Sequence, residues 1–160
     1  MMLIGLISDS HGNTTALQKA AAFFSGRADI IIHCGDVTAP RHLKPLLDTQ
    51  IPVHLSQGNC DRDPAGFKRA SRRSSLIYHD RAGWLEPNGA EIAFTHGDSP
   101  GIFYSLLNRS PDYLIQGHSH QRMDQEVDST RLINPGAATS SVALLDTETD
   151  SLEFHELNDS

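Results

Sequence analysis

The sequence has little with which to cross-link itself, cross a membrane or grip a polyanion. Its 160 residues hold two cysteines, Cys34 and Cys60, too few for a disulfide framework in a chain long enough to bury a core without one. A reducing, cytoplasmic setting is the expectation. Apolar runs such as Ile30-Ile31-Ile32 fall far short of the roughly 20 residues that a membrane helix needs. Met1-Met2-Leu3 opens directly into a strand-like run, so neither a spanning helix nor a signal peptide is expected. Positive charge is scarce: 13 Lys and Arg face 20 Asp and Glu, a formal charge of -7. That balance argues against stable nucleic-acid binding through a basic surface, which needs clustered cations to neutralise phosphates. A small phosphate-bearing substrate can still enter a locally positive pocket. Aromatic residues make up 6% of the chain, and no base-stacking site is evident among them. Length and a hydrophobic content of 38% fit a single domain spanning residues 1–160.

What is there alternates. Leu3 to Ile7 is an apolar run ending in Ser8-Asp9, and Asn13-Thr14-Thr15-Ala16-Leu17 opens a helix-forming segment that reaches Phe24. Ile30-Ile31-Ile32 ends in Gly35-Asp36, Leu43 to Leu47 reads as helical, and Pro52 to Leu55 runs into Gly58-Asn59. Strands alternating with helices imply a parallel sheet joined by crossovers. From Ser75 the texture is richer in strands, with Leu76 to Tyr78 and Glu91 to Phe94 flanking Gly83 and an Asn88-Gly89 hairpin-turn signal. Ile102 to Leu107 reads as a helix, Tyr113 to Ile115 as a strand ending at Gly117-His118, and the tail as strands over 131–134, 141–146 and 152–156. The basic stretch Lys68 to Arg73 reads as a solvated helix or loop.

Five apolar runs end in residues able to hold a metal: Asp9-Ser10-His11, Gly35-Asp36, Gly58-Asn59-Cys60-Asp61, His96-Gly97 and Gly117-His118-Ser119-His120. In a mostly parallel sheet the C-terminal strand ends share one edge, where ligands of open α/β sheets bind. Within Asp9-x-His11 and His118-x-His120, alternate positions of an extended backbone point the same way, so each pair is expected to face one metal centre. Carboxylate, imidazole and amide oxygen form a hard-to-borderline donor set suited to Mn, Fe, Zn or Ni. Each fragment alone has a structural explanation: Asp9 as a helix cap, Asp36 or Asn59 in a turn, His96 as a hydrogen-bonded core histidine. Turns and caps do not require four histidines at strand exits, and the recurrence points to metal.

In order and spacing, D-x-H, G-D, G-N-C-D, H-G and G-H-x-H, together with Asn134-Pro135-Gly136, the chain resembles the calcineurin-like metallophosphoesterase superfamily, and within it the small YfcE/Vps29-like phosphodiesterase group. The resemblance runs from residue 3 to about 157. It implies an α/β fold, a four-layer α/β/β/α sandwich of two mixed sheets flanked by helices. It also implies two divalent metal ions, with Mn the first expectation and Ni, Zn, Fe or Mg open. By motif, one ion falls to Asp9, His11 and His120, the other to Asn59, His96 and His118, with Asp36 between them. Such a pair, held about 3.5–4 Å apart, activates a bridging water for in-line attack and stabilises charge on the phosphoryl oxygens.

Catalytic roles beyond the metals are expected around Asn59, Cys60 and Asp61. Cys60 stands where many larger members of the superfamily carry a histidine resembling a general acid. A thiol is a poorer match for protonating an alkoxide, which favours diesters and aryl leaving groups over simple monoesters. Asp61 reads either as an organiser of the Asn59 loop or as a helix cap. Two further departures bear on the substrate surface: Asp98 follows His96-Gly97 where relatives often show histidine, and Gln121-Arg122 follows His120 where proline is common. A carboxylate near the metals repels anions and Arg122 could hold one. The competing readings are a non-catalytic Vps29-like protein-binding scaffold and a nucleotide-directed phosphatase. The complete ligand set favours a phosphoesterase acting on a small phosphate ester.

Overall fold

Parity along the strands decides the architecture. In the computed structural model, which describes residues 2–157, β1 (Leu3–Ile7) turns Ile4 and Leu6 to one face and Ile7 to the other, and β2 (Ile30–His33) splits Ile32 from Ile31 in the same way. Strands that are apolar on both faces must be covered on both, and here each face has its own core. Met1 and residues 158–160, the ends of the expected domain, lie outside the described residues.

β1, β2, β3 (Val53–Leu55) and β4 (Leu76–Tyr78) run parallel, and β10 (Ser141–Asp146) and β11 (Ser151–Glu156) complete a six-stranded sheet of order β11-β10-β1-β2-β3-β4 through antiparallel pairing. A second sheet has the order β5-β6-β7-β9-β8. Its β6 (Ile92–Thr95), β7 (Tyr113–Ile115) and β9 (Thr130–Asn134) are parallel, and its edges β5 (Ala82–Leu85) and β8 (Met123–Val127) are antiparallel. Ile4, Leu6, Ile32 and Leu145 of the first sheet meet Ile92, Phe94, Ile115 and Ile133 of the second in the central core. The outer face of the first sheet packs on α1 (Thr14–Phe24), α2 (Lys44–Leu47) and α3 (Pro64–Ser71), and that of the second on α4 (Pro100–Leu107). The expected four-layer sandwich of two mixed sheets is what the chain forms.

Local chemistry sets the helix starts. In α1, Ala16, Leu17, Ala20, Ala21 and Phe24 recur at helical spacing and are buried. Its cap is Asn13, whose side chain accepts from the Ala16 N–H, not Asp9. α3 is capped by Asp63 and carries exposed Lys68 and Arg69, so the basic stretch is the solvated helix end that its composition suggests. Asn88 and Gly89, both at positive φ, turn β5 into β6 within a six-residue connection, residues 86–91, rather than a two-residue hairpin.

Candidate metal centre

All five ligand-bearing segments leave the C-terminal ends of parallel strands: β1, β2 and β3 in one sheet, β6 and β7 in the other. The sandwich brings both sets to one edge. The backbone there is not extended. Asp9 (φ 54), His11 (φ 45), Asp36 (φ 62), His118 (φ 70) and His120 (φ 64) all sit in the left-handed region, which costs an L-residue roughly 1–2 kcal/mol. The expectation that alternate positions of an extended chain share a direction is therefore corrected. The strands have ended at Ile7 and Ile115, and the side chains are aimed by tight turns. Asp9 and His11 still converge, but the second pair divides: His120 Nε2 lies 3.3 Å from His11 Nε2, while His118 Nδ1 lies 3.3 Å from His96 Nε2. Strain of this kind persists only where surrounding contacts over-determine it.

Those contacts are on hand. Asp9 N–H donates to Gly35 O and His11 N–H to Asp36 O, stitching the first loop to the second. Asp61, fully buried, accepts three backbone N–H groups, from Asp36 and Gly58 on Oδ2 and from Thr38 on Oδ1. Of its two sequence readings, the organising one describes these hydrogen bonds. Asn134 donates to Gly117 O and Ser119 Oγ and accepts from Gly136 N–H, bracing the His118 loop from β9. Buried His33 accepts from Gly35 N–H on Nδ1, so its Nε2 carries the hydrogen that meets Ser10 Oγ at 3.0 Å. Burial, and then His96, push the His33 pKa down to about 3. Two glycines are dictated by space: a Cβ on Gly58 would stand 2.2 Å from Asp36 Oδ1, and one on Gly117 1.9 Å from Ser8 Oγ and 2.5 Å from Asp9 Oδ2.

At the centre the polar atoms are opposed rather than satisfied. Asp9 Oδ2 accepts from Ser8 Oγ and His118 N–H, but its buried Oδ1 has no hydrogen bond. That oxygen faces Nε2 of His120 at 3.3 Å, His11 at 3.6 Å and His96 at 3.8 Å. Asp36 Oδ2 faces His96 Nε2 at 3.2 Å and His11 Nε2 at 3.6 Å, while Oδ1 accepts from Cys60 N–H. His96 Nδ1 donates to Cys34 O, leaving the Nε2 lone pair to point inward. Burial works against ionising Asp36, but His96, the Cys60 N–H and His11 outweigh it and hold the carboxyl at about 2. Burial likewise opposes a charge on His96, and the Asp36 and Asp9 carboxylates outweigh it to raise its pKa. Burial and then Asp36 push the Cys60 thiol up.

The model of the calcineurin-like phosphoesterase superfamily domain matches residues 2–150. The chain belongs to that superfamily. A probable metallophosphoesterase of Methanothermobacter thermautotrophicus is 36% identical over 140 residues, covering 86% of this chain and 78% of the relative. A structure described as a novel archaeal phosphodiesterase superposes with a TM-score of 0.86 at 25% identity, over 97% of this chain and 99% of that one. Vps29 of Chaetomium thermophilum superposes with a TM-score of 0.70 at 18% identity, over 98% and 96%, a likeness of fold alone.

The donors of this superfamily member fit divalent metal. Asp9–His11–His120 and Asp9–Asp36–His96 each bring three ligand atoms within 4.8 Å of one another, and a cation among them would satisfy both the orphaned Asp9 Oδ1 and the facing imidazole nitrogens. His118 adjoins the second group through His96. Asn59 is exposed, and its amide donates to Cys60 Sγ at 3.6 Å. Cys34 and Cys60 are both free thiols. Asp98 does not stand as a bare carboxylate, because Arg81 Nη2 donates to it at 3.2 Å. Arg122 lies over Phe154 and 3.7 Å from Glu156, on the β11 side. Sequence reasoning missed Ser8, His33 and the bracing role of Asn134. The signal for His33 was a polar residue closing an otherwise apolar strand.

Proposed function

We propose that the chain is a metal-dependent phosphoesterase, a phosphodiesterase in preference to a monoesterase, working with two divalent ions. Asp9, His11 and His120 would hold one ion, Asn59, His96 and His118 the other, with Asp36 shared. The observation that carries the reading is the buried, unpartnered Asp9 Oδ1 facing three imidazole nitrogens. When bound, the ions supply an activated water and neutralise charge on the phosphoryl oxygens. The chain's own residues do the positioning. Ser8 and the His118 N–H hold Asp9 so that its free oxygen aims inward. Cys34 O fixes the His96 tautomer, and Asp61 locks the second and third loops together through three N–H groups.

Substrate preference follows from what stands beside the ions. Cys60 is a weak proton donor toward a departing alkoxide, which supports diesters with good leaving groups. Mn is the first expectation for the metal, with Ni, Zn, Fe and Mg as alternatives. The retained ligand set supports an enzyme over a scaffold of the kind to which the Vps29 fold lends itself.

The test is hydrolysis of bis-p-nitrophenyl phosphate and p-nitrophenyl phosphate by metal-stripped protein refilled with Mn, Ni, Zn or Mg, beside His118→Ala. Metal-dependent diesterase activity that falls on the order of 10³-fold in the variant, about 4 kcal/mol of barrier, is the expected result. No turnover with any metal, at confirmed occupancy of both sites, sinks the diesterase reading.

A further inference from the structure

The third loop carries a donor that the family's ligand pattern does not use. Cys60 Sγ, a His11 nitrogen and an Asp36 carboxylate oxygen lie within 4.8 Å of one another. The Cys60 N–H also donates to Asp36 Oδ1 at 2.8 Å, so the backbone of the same residue is bonded to the carboxylate that its sulfur lies near. Asn59, exposed, rests its amide on the same sulfur. A cysteine near two other polar residues is not by itself a site. What turns this one into a candidate is a separate observation at His11: the buried Asp9 Oδ1, without a hydrogen bond, lies 3.6 Å from the His11 Nε2. The imidazole thus lies near both an unsatisfied carboxylate oxygen and a thiol, with Asp36 Oδ2 at 3.6 Å from its Nε2.

We propose that Cys60 is a metal ligand, coordinating through sulfur an ion held by His11 and Asp36. This rests on the reading of the site as a metal centre and deepens it. Coordination breaks the S–H bond, the proton passes to solvent, and a sulfur lone pair bonds the ion; no electrons change hands and no oxidant is required. A thiolate adds one soft donor to an otherwise hard-to-borderline set, which biases the centre toward zinc, cobalt or cadmium and away from magnesium. It also gives the substitution of cysteine for histidine in the G-N-C-D motif a use other than acid catalysis.

Cobalt(II) reports both claims separately. Metal-stripped, fully reduced protein is titrated anaerobically with Co(II), as wild type and as Cys60→Ser, with the fold of each checked by circular dichroism. Visible d–d bands report that cobalt is bound, and a near-ultraviolet sulfur-to-cobalt charge-transfer band reports that a thiolate binds it. The expected result is both bands in the wild type and loss of the charge-transfer band, with d–d bands kept, in Cys60→Ser. Wild-type d–d bands without charge transfer overturn the proposal and leave the metal centre standing. A charge-transfer band that survives in Cys60→Ser assigns the sulfur to Cys34 and overturns it as well. No cobalt retained by either protein defeats the metal centre itself and the proposal with it.

Discussion

The two ends of the strands are both crowded with charge, and they treat it in opposite ways. At the N-terminal ends of β7 and β9, Arg131 donates to both oxygens of Asp124 at 2.8 and 2.9 Å and to Asp150 at 2.9 Å, and Tyr113 Oη donates to Asp150 at 2.7 Å. Asp112 accepts from Glu91 N–H. The pKa shifts follow the pairing, with Asp124 held low chiefly by the Arg131 hydrogen bond and Asp150 chiefly by Tyr113. A cleft of about 450 Å3, lined in part by Asp112, Tyr113, Arg131 and Asp150, opens beside this cluster. At the C-terminal ends, by contrast, carboxylates and imidazoles face one another across 3.2–3.8 Å, in left-handed turns, with one oxygen orphaned. Unsatisfied polar atoms held in strained backbone are what make the C-terminal end the candidate site; satisfied ones hold the fold together.

The sharpest way to break this comparison is to place one methyl group at each end of the sandwich. Gly117→Ala drives a Cβ into Ser8 Oγ and Asp9 Oδ2, which displaces the residue proposed to hold an ion. Loss of metal-dependent hydrolysis is expected, along with overpacking worth about 1–3 kcal/mol. Gly89→Ala, in the β5–β6 connection, meets nothing within 4 Å and pays only for its φ of +83, roughly 1–2 kcal/mol, with activity kept. Metal content, diesterase rate and urea midpoints measured on both variants check this. A Gly117→Ala protein with normal metal content and rate would remove the argument that packing fixes Asp9.

A smaller effect is expected at the satisfied end. Arg131→Leu leaves Asp124 and Asp150 without their cation, but the Asp150 side chain is 65% exposed and the Asp124 side chain 37%, so water screens most of the loss. The expected cost is about 1 kcal/mol or less, a fall of roughly 2–4 °C in Tm at most, with kcat/KM on the diester unchanged. A matching loss of activity would mean that the two ends are coupled and that the division drawn between them is wrong.

How much of this was legible beforehand depends on what the residues respond to. The alternation of Leu3–Ile7, Ile30–Ile32 and Val53–Leu55 with helices was readable because buried parallel strands are short apolar runs, and the residues after them stood out by chemistry. β8, Met123–Val127, was not, since a polar edge strand of sequence MDQEV has nothing to alternate. The convergence of Asp9 with His11 was expected on a mistaken premise of extended backbone, and the parting of His118 from His120, which the motif assignment to separate ions implies, could not have come from that premise. A left-handed turn in a non-glycine residue is enforced by distant partners, here Gly35, Asp36 and Asn134, which no local pattern contains. The bracing of the loops by Asp61 was open between two readings because an aspartate two positions before Asp63 could equally have capped α3. The actual cap is Asp63.

A third polar cluster lies between these extremes and gives the finest test. His54 on β3 and His79 just after β4 bring Nδ1 and Nε2 to 2.8 Å, with the His79 ring edge-on to Phe94. Burial and then His79 push the His54 pKa down to about 4, and burial lowers that of His79 against the opposing pull of Asp80. Folding therefore favours the neutral rings. Above about pH 6.5, the ordinary histidine value, neither state binds the proton and the stabilisation is complete. As pH falls from there toward 4 the unfolded chain takes up protons first, and stability is lost. His54→Gln removes one of the two rings and should flatten the decline between pH 7 and pH 5, seen as a smaller shift of the urea midpoint. The comparison is made on metal-free protein, so that acid release of the ions does not contribute, and His33, whose depressed pKa adds the same sign of dependence, is common to both proteins. An undiminished slope in His54→Gln would place the acid sensitivity at buried His33 instead, since the raised pKa of His96 works in the opposite direction over this window.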